Sequence, residues 1–178
     1  MHTLTTVLYG RAPTPFGPGL IGWTDQGTVI LHFQQNDDPP AEEILLAAFP
    51  DCRLMCLDRE ANERLEQVFD QGQPGHSIQM PELVLTGSPF QLKVWQGLRD
   101  IPFGETRSYG QLAASIGHPG AARAVGTAIA ANKLAYLVPC HRVVRATGEI
   151  GQFRWGRERK AQMLAWESHA LADSNADR

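Results

Sequence analysis

The run Pro139-Cys140-His141-Arg142 sets a thiol directly beside an imidazole, with a guanidinium one residue further on. The thiolate is the nucleophilic form of cysteine, and a neighbouring base or cation makes it available near neutral pH. Pro139 restricts the backbone on the other side. The grouping predicts a cation-assisted, activated thiol at Cys140. A histidine working as a base needs a partner that sets its tautomer, and Glu167, on the terminal helix, is the candidate. A Cys-His pair taken alone is more often structural, because a free cysteine packs as a small apolar side chain. Its surroundings must decide.

Those surroundings fall into two halves. In the first, Gly17-Pro18-Gly19 signals a turn, and Leu20-Ile21-Gly22-Trp23 and Thr28 to Phe33 read as strands around Asp25-Gln26-Gly27, a hairpin or meander. Pro39-Pro40 opens a helix from Ala41 to Phe49 with Glu42 and Glu43 in its first turn. A second helix runs from Leu57 to Phe69, with Asp58 as N-cap and Leu65, Val68 and Phe69 on one face. Gln71-Gly72-Gln73-Pro74-Gly75 breaks it. The second half is mainly helical. Ser88-Pro89 is an N-cap followed by proline, and the helix passes through Val94, Trp95 and Leu98 before Pro102 and Gly104. Two short helices, Tyr109 to Ile116 and Ala121 to Asn132, flank the turn Gly117-His118-Pro119-Gly120 and form a helix-turn-helix candidate. A Gly-rich loop covers 151–156, and a last helix runs from about Arg157 to His169. The expected fold is α+β: a small N-terminal α/β domain with a short antiparallel sheet (1–84), a helical C-terminal domain (85–171) and a frayed tail (172–178).

Charge separates the halves as well. Residues 1–87 hold four Arg against twelve acids, a net −8, whereas 88–160 hold eleven Lys and Arg against four acids, a net +7. A basic half is what contact with a polyanion requires, although uneven surface charge alone would look the same. No apolar run reaches the ~20 residues that span a bilayer, and the N-terminus lacks signal-peptide order, so a soluble, cytoplasmic protein without membrane contact is expected. Three cysteines without framework spacing suit a reducing compartment. Cys52 and Cys56 form a CxxxC pair with no second Cys/His pair, and read as structural rather than as a metal site.

Pro139-Cys140-His141-Arg142-Val143-Val144 resembles the active-site signature of the O6-alkylguanine-DNA alkyltransferases. Phe90 with Val94-Trp95, Ile101-Pro102-x-Gly104-Glu105, Ser108-Tyr109, Gln111-Leu112-Ala113, Ala122-Arg123-Ala124-Val125-Gly126 and Asn132 stand at the same family's spacing. The resemblance is strong over about 88–168 and only outlined earlier, through Thr14-Pro15-Phe16-Gly17-Pro18. It implies an RNase H-like N-terminal support domain and DNA repair by direct reversal. Cys140 would accept the alkyl group from guanine O6, and as a second substrate from thymine O4, once per molecule. His141, through a water, would be the base, Glu167 its orienting partner, and Asn132 the hinge between recognition helix and active-site segment. Tyr109, Arg123 and Gly126 would meet DNA: Tyr109 at the target phosphate and extruded base, Arg123 filling the vacated stack. Tyr109, Val143, Phe153, Arg154 and Trp155 would line the base pocket. The implied partner is duplex DNA bearing O6-alkylguanine, met by a monomer through its minor groove, with no cofactor and no metal.

One departure concerns the pocket loop. The family's commoner form is Tyr-x-Gly-Gly; here it is Phe153-Arg154-Trp155-Gly156, similar to the repair domain of adaptive-response regulators. Trp155 in place of glycine should narrow the pocket. Three rivals fit less well. A non-catalytic alkyltransferase-like protein would replace Cys140. A papain-type hydrolase would place its histidine far from the cysteine. A plain DNA-binding module would leave Cys140, His141 and Glu167 unexplained.

Overall fold

The computed structural model describes residues 5–70 and 80–176. It is a mixed α/β chain in two compact units, which among the described residues comprise 5–70 with 80–84, and 85–176. The break expected at 71–75 lies outside the described residues.

In the first unit β1 (Thr5–Thr14), β2 (Gly17–Thr24), β3 (Gly27–Phe33) and β4 (Cys52–Cys56) form a sheet ordered β3-β2-β1-β4. The expected hairpin is β2 and β3, antiparallel around Asp25-Gln26. The sheet is not wholly antiparallel, however: β4 joins β1 in parallel, Thr5 opposite Cys52 and Tyr9 opposite Cys56. Cys52 and Cys56 therefore sit on an edge strand. Gly17 and Gly19 begin β2 instead of turning the chain; the turn falls at Pro15-Phe16. Between β3 and β4 lies α1 (Ala41–Ala48), whose Glu42 accepts a hydrogen bond from the Tyr9 hydroxyl.

The helix α2 (Asp58–Asp70) buries Ala61, Leu65, Val68 and Phe69 against the sheet. Asp58 is the first helical residue rather than the cap, and its carboxylate instead accepts from the Arg11 amide at 2.9 Å. Phe69 closes an aromatic cluster with Phe16 and Phe33, ring centroids 5.8 and 6.2 Å away. Gly10 permits this packing. A Cβ there would lie 2.6 Å from Ala61 Cβ and 2.8 Å from Asp58 Cα.

The second unit opens with α3 (Pro89–Arg99), started by a capping box: Gln91 N donates to Ser88 Oγ, and Ser88 N to Gln91 Oε1. The same device, Ser108 with Gln111, starts α4 (Tyr109–Ser115). The turn to α5 (Ala122–Ala130) uses Gly117 at φ +78° and Gly120 at φ +85°, a left-handed conformation that glycine takes without steric cost. Buried Trp95 ties α3 to α5 by donating from Nε1 to Ala128 O at 2.9 Å. Two further short strands, β5 (Arg107–Ser108) and β6 (Val143–Val144), pair in parallel. They bind the start of α4 to the residues just after Cys140.

The last helix, α6 (Arg157–Ala176), passes well beyond His169. The chain expected to fray from 172 is helical through Ala176, since no Gly or Pro interrupts it. Among the described residues no helix is long and apolar enough to cross a membrane.

Replacing Gly10 with alanine should force α2 away from β1. We expect Gly10→Ala to lose about 1–3 kcal/mol of unfolding free energy, read from urea denaturation.

Candidate active site

Cys140 begins a one-turn 3-10 helix, Cys140–Arg142, and is 3% exposed. Its sulfur receives Asn132 Nδ2 at 3.4 Å. The same amide reaches Val138 O at 3.1 Å and Leu134 O at 3.3 Å, while Asn132 Oδ1 accepts from Leu134 N at 2.9 Å. Buried Asn132, just past the end of α5, thus holds both the loop leading to Cys140 and the thiol itself.

His141 is wholly buried, with Nε2 2.6 Å from Glu167 Oε1. Glu167 is buried too, and two more groups supply its needs. Arg142 donates Nε to Oε2 at 3.0 Å and Nη2 to Oε1 at 2.9 Å, and Gly104 N donates to Oε2 at 2.9 Å. Burial alone would raise this carboxyl; the hydrogen bonds from His141 and Arg142 lead the influences that outweigh it and bring it to about 2. Burial is also the main reason that His141 is driven below its ordinary value, toward the neutral ring. An ionised Glu167 and a neutral His141 put the ring proton on Nε2, donated to Oε1. Nδ1 is then a bare acceptor, and it has no hydrogen-bond partner in the structure.

The cation expected beside the thiol is not Arg142. That side chain turns onto Glu167 and gives Nη1 to Ile101 O at 2.7 Å. The positive charges that favour the thiolate are those of Lys160 and Arg154. Lys160 is 1% exposed and donates to Val143 O at 2.6 Å and Gln152 O at 3.4 Å. Burial lowers it to about 8, against the pull of Cys140. Burial likewise pushes the Cys140 thiol up to about 11, with Asn132, Lys160 and Arg154 opposing. The resting sulfur is therefore a neutral thiol that needs a base to activate it.

Tyr109 is half-buried at the start of α4, and a Cβ on Gly126 would lie 3.8 Å from its ring. Arg123 is exposed on α5. Val143 is fully buried and bonded through its carbonyl to Lys160. In the loop before α6, Phe153 and Trp155 meet edge to face at 5.4 Å, and Trp155 is 1% exposed. Arg154 gives Nη1 to Asn132 O at 3.0 Å, joining the loop to the end of α5.

Two residues at this centre escaped the sequence reading. Lys160 shares with Met163 and Glu167 the buried stripe of α6, an i, i+3, i+7 spacing that could have drawn attention to it. Tyr136 is the other. Among the described residues it alone combines a side chain with a positive φ, +65°, and its ring stacks on His141 with 5.8 Å between centroids and 5° between planes. Nothing local in Leu134-Ala135-Tyr136 announces that conformation.

Residues 89–169 match the family model described as 6-O-methylguanine DNA methyltransferase, DNA binding domain. A solved Mycobacterium tuberculosis O6-methylguanine methyltransferase is 33% identical, with a TM-score of 0.73 over 92% of this chain and 94% of that one. That near-complete overlap decides the matter.

The chain belongs to the O6-methylguanine-DNA methyltransferase family. The Escherichia coli bifunctional transcriptional activator/DNA repair enzyme Ada is 40% identical over 91% of this chain and 46% of that protein. A Mycolicibacterium paratuberculosis methylated-DNA–protein-cysteine methyltransferase is 55% identical over 48% of this chain and 52% of its own length. The chain spans about half the length of the curated relatives it matches.

The buried Glu167 sets a pH dependence. Its carboxyl falls from an ordinary 4.5 to about 2 in the fold, so its ionised form stabilises the native state above about pH 4.5, and that contribution disappears as pH drops toward 2. Glu167→Gln should be less stable at neutral pH by on the order of 3 kcal/mol. The gap from the unsubstituted protein should close through that acid window in urea titrations.

Proposed function

We propose that the protein repairs DNA by direct reversal, moving the alkyl group of O6-alkylguanine onto its own Cys140 once per molecule. The observation that carries this reading is the buried chain Asn132–Cys140 and His141–Glu167, with His141 Nδ1 left to accept a proton. The Sγ proton passes to Nδ1 through a water, and the sulfur attacks the alkyl carbon in line with O6. The S–C bond forms as the C–O6 bond breaks, its electron pair leaving on guanine. The Tyr109 hydroxyl stabilises the leaving base by donating a hydrogen bond, and guanine regains a proton from solvent as His141 releases the one it took. The product is a thioether, which neither hydrolyses nor exchanges readily. No metal and no methyl donor enters the balance. Thymine O4 offers the same bond geometry, so O4-alkylthymine is a second, smaller substrate class.

The target carbon lies inside stacked duplex, so the nucleotide must leave the stack, costing roughly a few kcal/mol. Arg123, exposed on a helix of mostly small residues, enters the gap from the minor groove, and contacts to the backbone keep binding independent of sequence. One copy of the chain carries every group used, so the working form is a monomer. Its three free cysteines suit a reducing cytoplasm. The first unit, the RNase H-like half, serves as support.

Incubation with a duplex containing O6-methylguanine should add one methylene to the peptide carrying Cys140, by mass spectrometry. Cys140→Ala should abolish the transfer and leave duplex affinity largely unchanged; transfer that survives would put the nucleophile elsewhere.

Trp155 predicts a size limit. Transfer from O6-methylguanine should exceed that from O6-benzylguanine in DNA by at least roughly tenfold, the discrimination that a filled apolar pocket provides. Trp155→Gly should narrow the gap, in single-turnover rates on matched oligonucleotides. Equal rates with the unsubstituted protein would remove any role for Trp155 in selection.

A further inference from the structure

Tyr136 stands at the apex of a turn that is closed on both sides. Val138 N donates to Leu134 O at 2.9 Å and Leu137 N to Ala135 O at 2.7 Å. The Asn132 side chain accepts from Leu134 N and donates to Val138 O. This bonding holds a bulky residue in the left-handed region, where a β-carbon is crowded. Strain of that kind persists where the surroundings over-determine it, and its usual association is with functional geometry. Here it lays the Tyr136 ring nearly parallel to the imidazole of His141, and Trp166 meets Tyr136 edge to face at 6.2 Å.

The charges around His141 explain what such a ring would do. From α6 the imidazole faces Glu167 and Lys160, and from its own turn Arg142. Glu167 favours a charged ring but is shared with Arg142. Lys160, Arg142 and burial all oppose the charge. Receiving a proton is therefore hard for this histidine, and a further source of stabilisation is needed. An aromatic face carries negative potential and attracts a cation within about 6 Å of its centroid. The separation here is 5.8 Å.

We propose that Tyr136 is a positioning residue for His141: its ring face fixes the imidazole plane and stabilises the imidazolium formed when the Cys140 proton arrives. The inference rests on alkyl transfer to Cys140. It assigns the work to the ring and none to the hydroxyl, so phenylalanine should serve equally well.

The test is the single-turnover rate of methyl transfer from O6-methylguanine duplex, measured between about pH 6.5 and 9.5, for the unsubstituted protein, Tyr136→Phe and Tyr136→Leu. Tyr136→Leu should be slower by roughly fivefold near neutral pH. The deficit should shrink as pH rises and solvent base takes over removal of the thiol proton. Tyr136→Phe should keep the unsubstituted profile to within about twofold. A leucine variant matching the unsubstituted protein, a deficit constant across pH, or a phenylalanine variant behaving like leucine would each overturn the proposal. If Tyr136→Leu does not fold, Tyr136→Met supplies the same comparison. An unsubstituted protein that takes up no methyl group overturns the transfer reading itself; normal uptake with an unaffected leucine variant overturns this inference alone.

Discussion

A carboxylate with no access to water organises the second unit. Burying an ion costs several kcal/mol unless its oxygens are fully bonded, and Glu167 meets that demand with donors from three places: the imidazole of His141, the guanidinium of Arg142 and the amide of Gly104. Each donor belongs to a segment that would otherwise be loop. Gly104 follows α3, and His141 and Arg142 make up the turn that Cys140 begins. Satisfying one side chain on α6 therefore fixes the backbone that presents Cys140. Arg142 extends the clamp to Ile101 O. Its departure from the position expected of it, beside the sulfur, follows directly: the buried carboxylate has the stronger claim on the nearest guanidinium.

That claim leaves the thiol to be served by other groups, and burial makes the service necessary. At about 11 the Cys140 thiol is protonated at neutral pH, so on the proposed chemistry nucleophilicity has to be generated during the reaction rather than stored. Lys160 supplies positive charge without removing the proton, because at about 8 its ammonium is still protonated at neutral pH and has no lone pair to accept with. His141 supplies the opposite, an acceptor without charge. The two tasks thus fall to different side chains.

Legibility in the sequence followed the range of the interactions involved. The helix starts at Ser88 and Ser108 depend on residues three apart and were readable, or nearly so, from local pattern. The β2–β3 hairpin was readable for the same reason. β1 was not: Gly10 and Pro13 interrupt its apolar pattern, and what makes it a strand is pairing with β2 on one side and with β4, some 45 residues later in the chain, on the other. β4 was not readable either: Cys52 and Cys56 were read as structural, but what makes their segment a strand is parallel pairing with the distant β1. At the site, Cys140, His141 and Glu167 were recoverable from residue chemistry and family spacing. The placements of Arg142, Lys160 and Tyr136 were not, because each depends on where a side chain turns. A basic residue on a helix normally lies on its solvated face, and only the fold reveals that Lys160 does not.

On the proposed chemistry, the same burial accounts for why such a site would work once. A thiol that gains an alkyl group loses the proton on which the His141 relay depends, so the base has nothing left to remove. The thioether carries no charge for Lys160 to balance, and it sits where only 3% of the cysteine surface meets solvent, which shields the new bond from external nucleophiles. Regeneration would require a second nucleophile next to Cys140. The remaining cysteines, Cys52 and Cys56, are free thiols on β4 of the first unit. Irreversibility thus needs no special device: it follows from placing a single nucleophile in an enclosure where every neighbouring group is already committed to holding or ionising it.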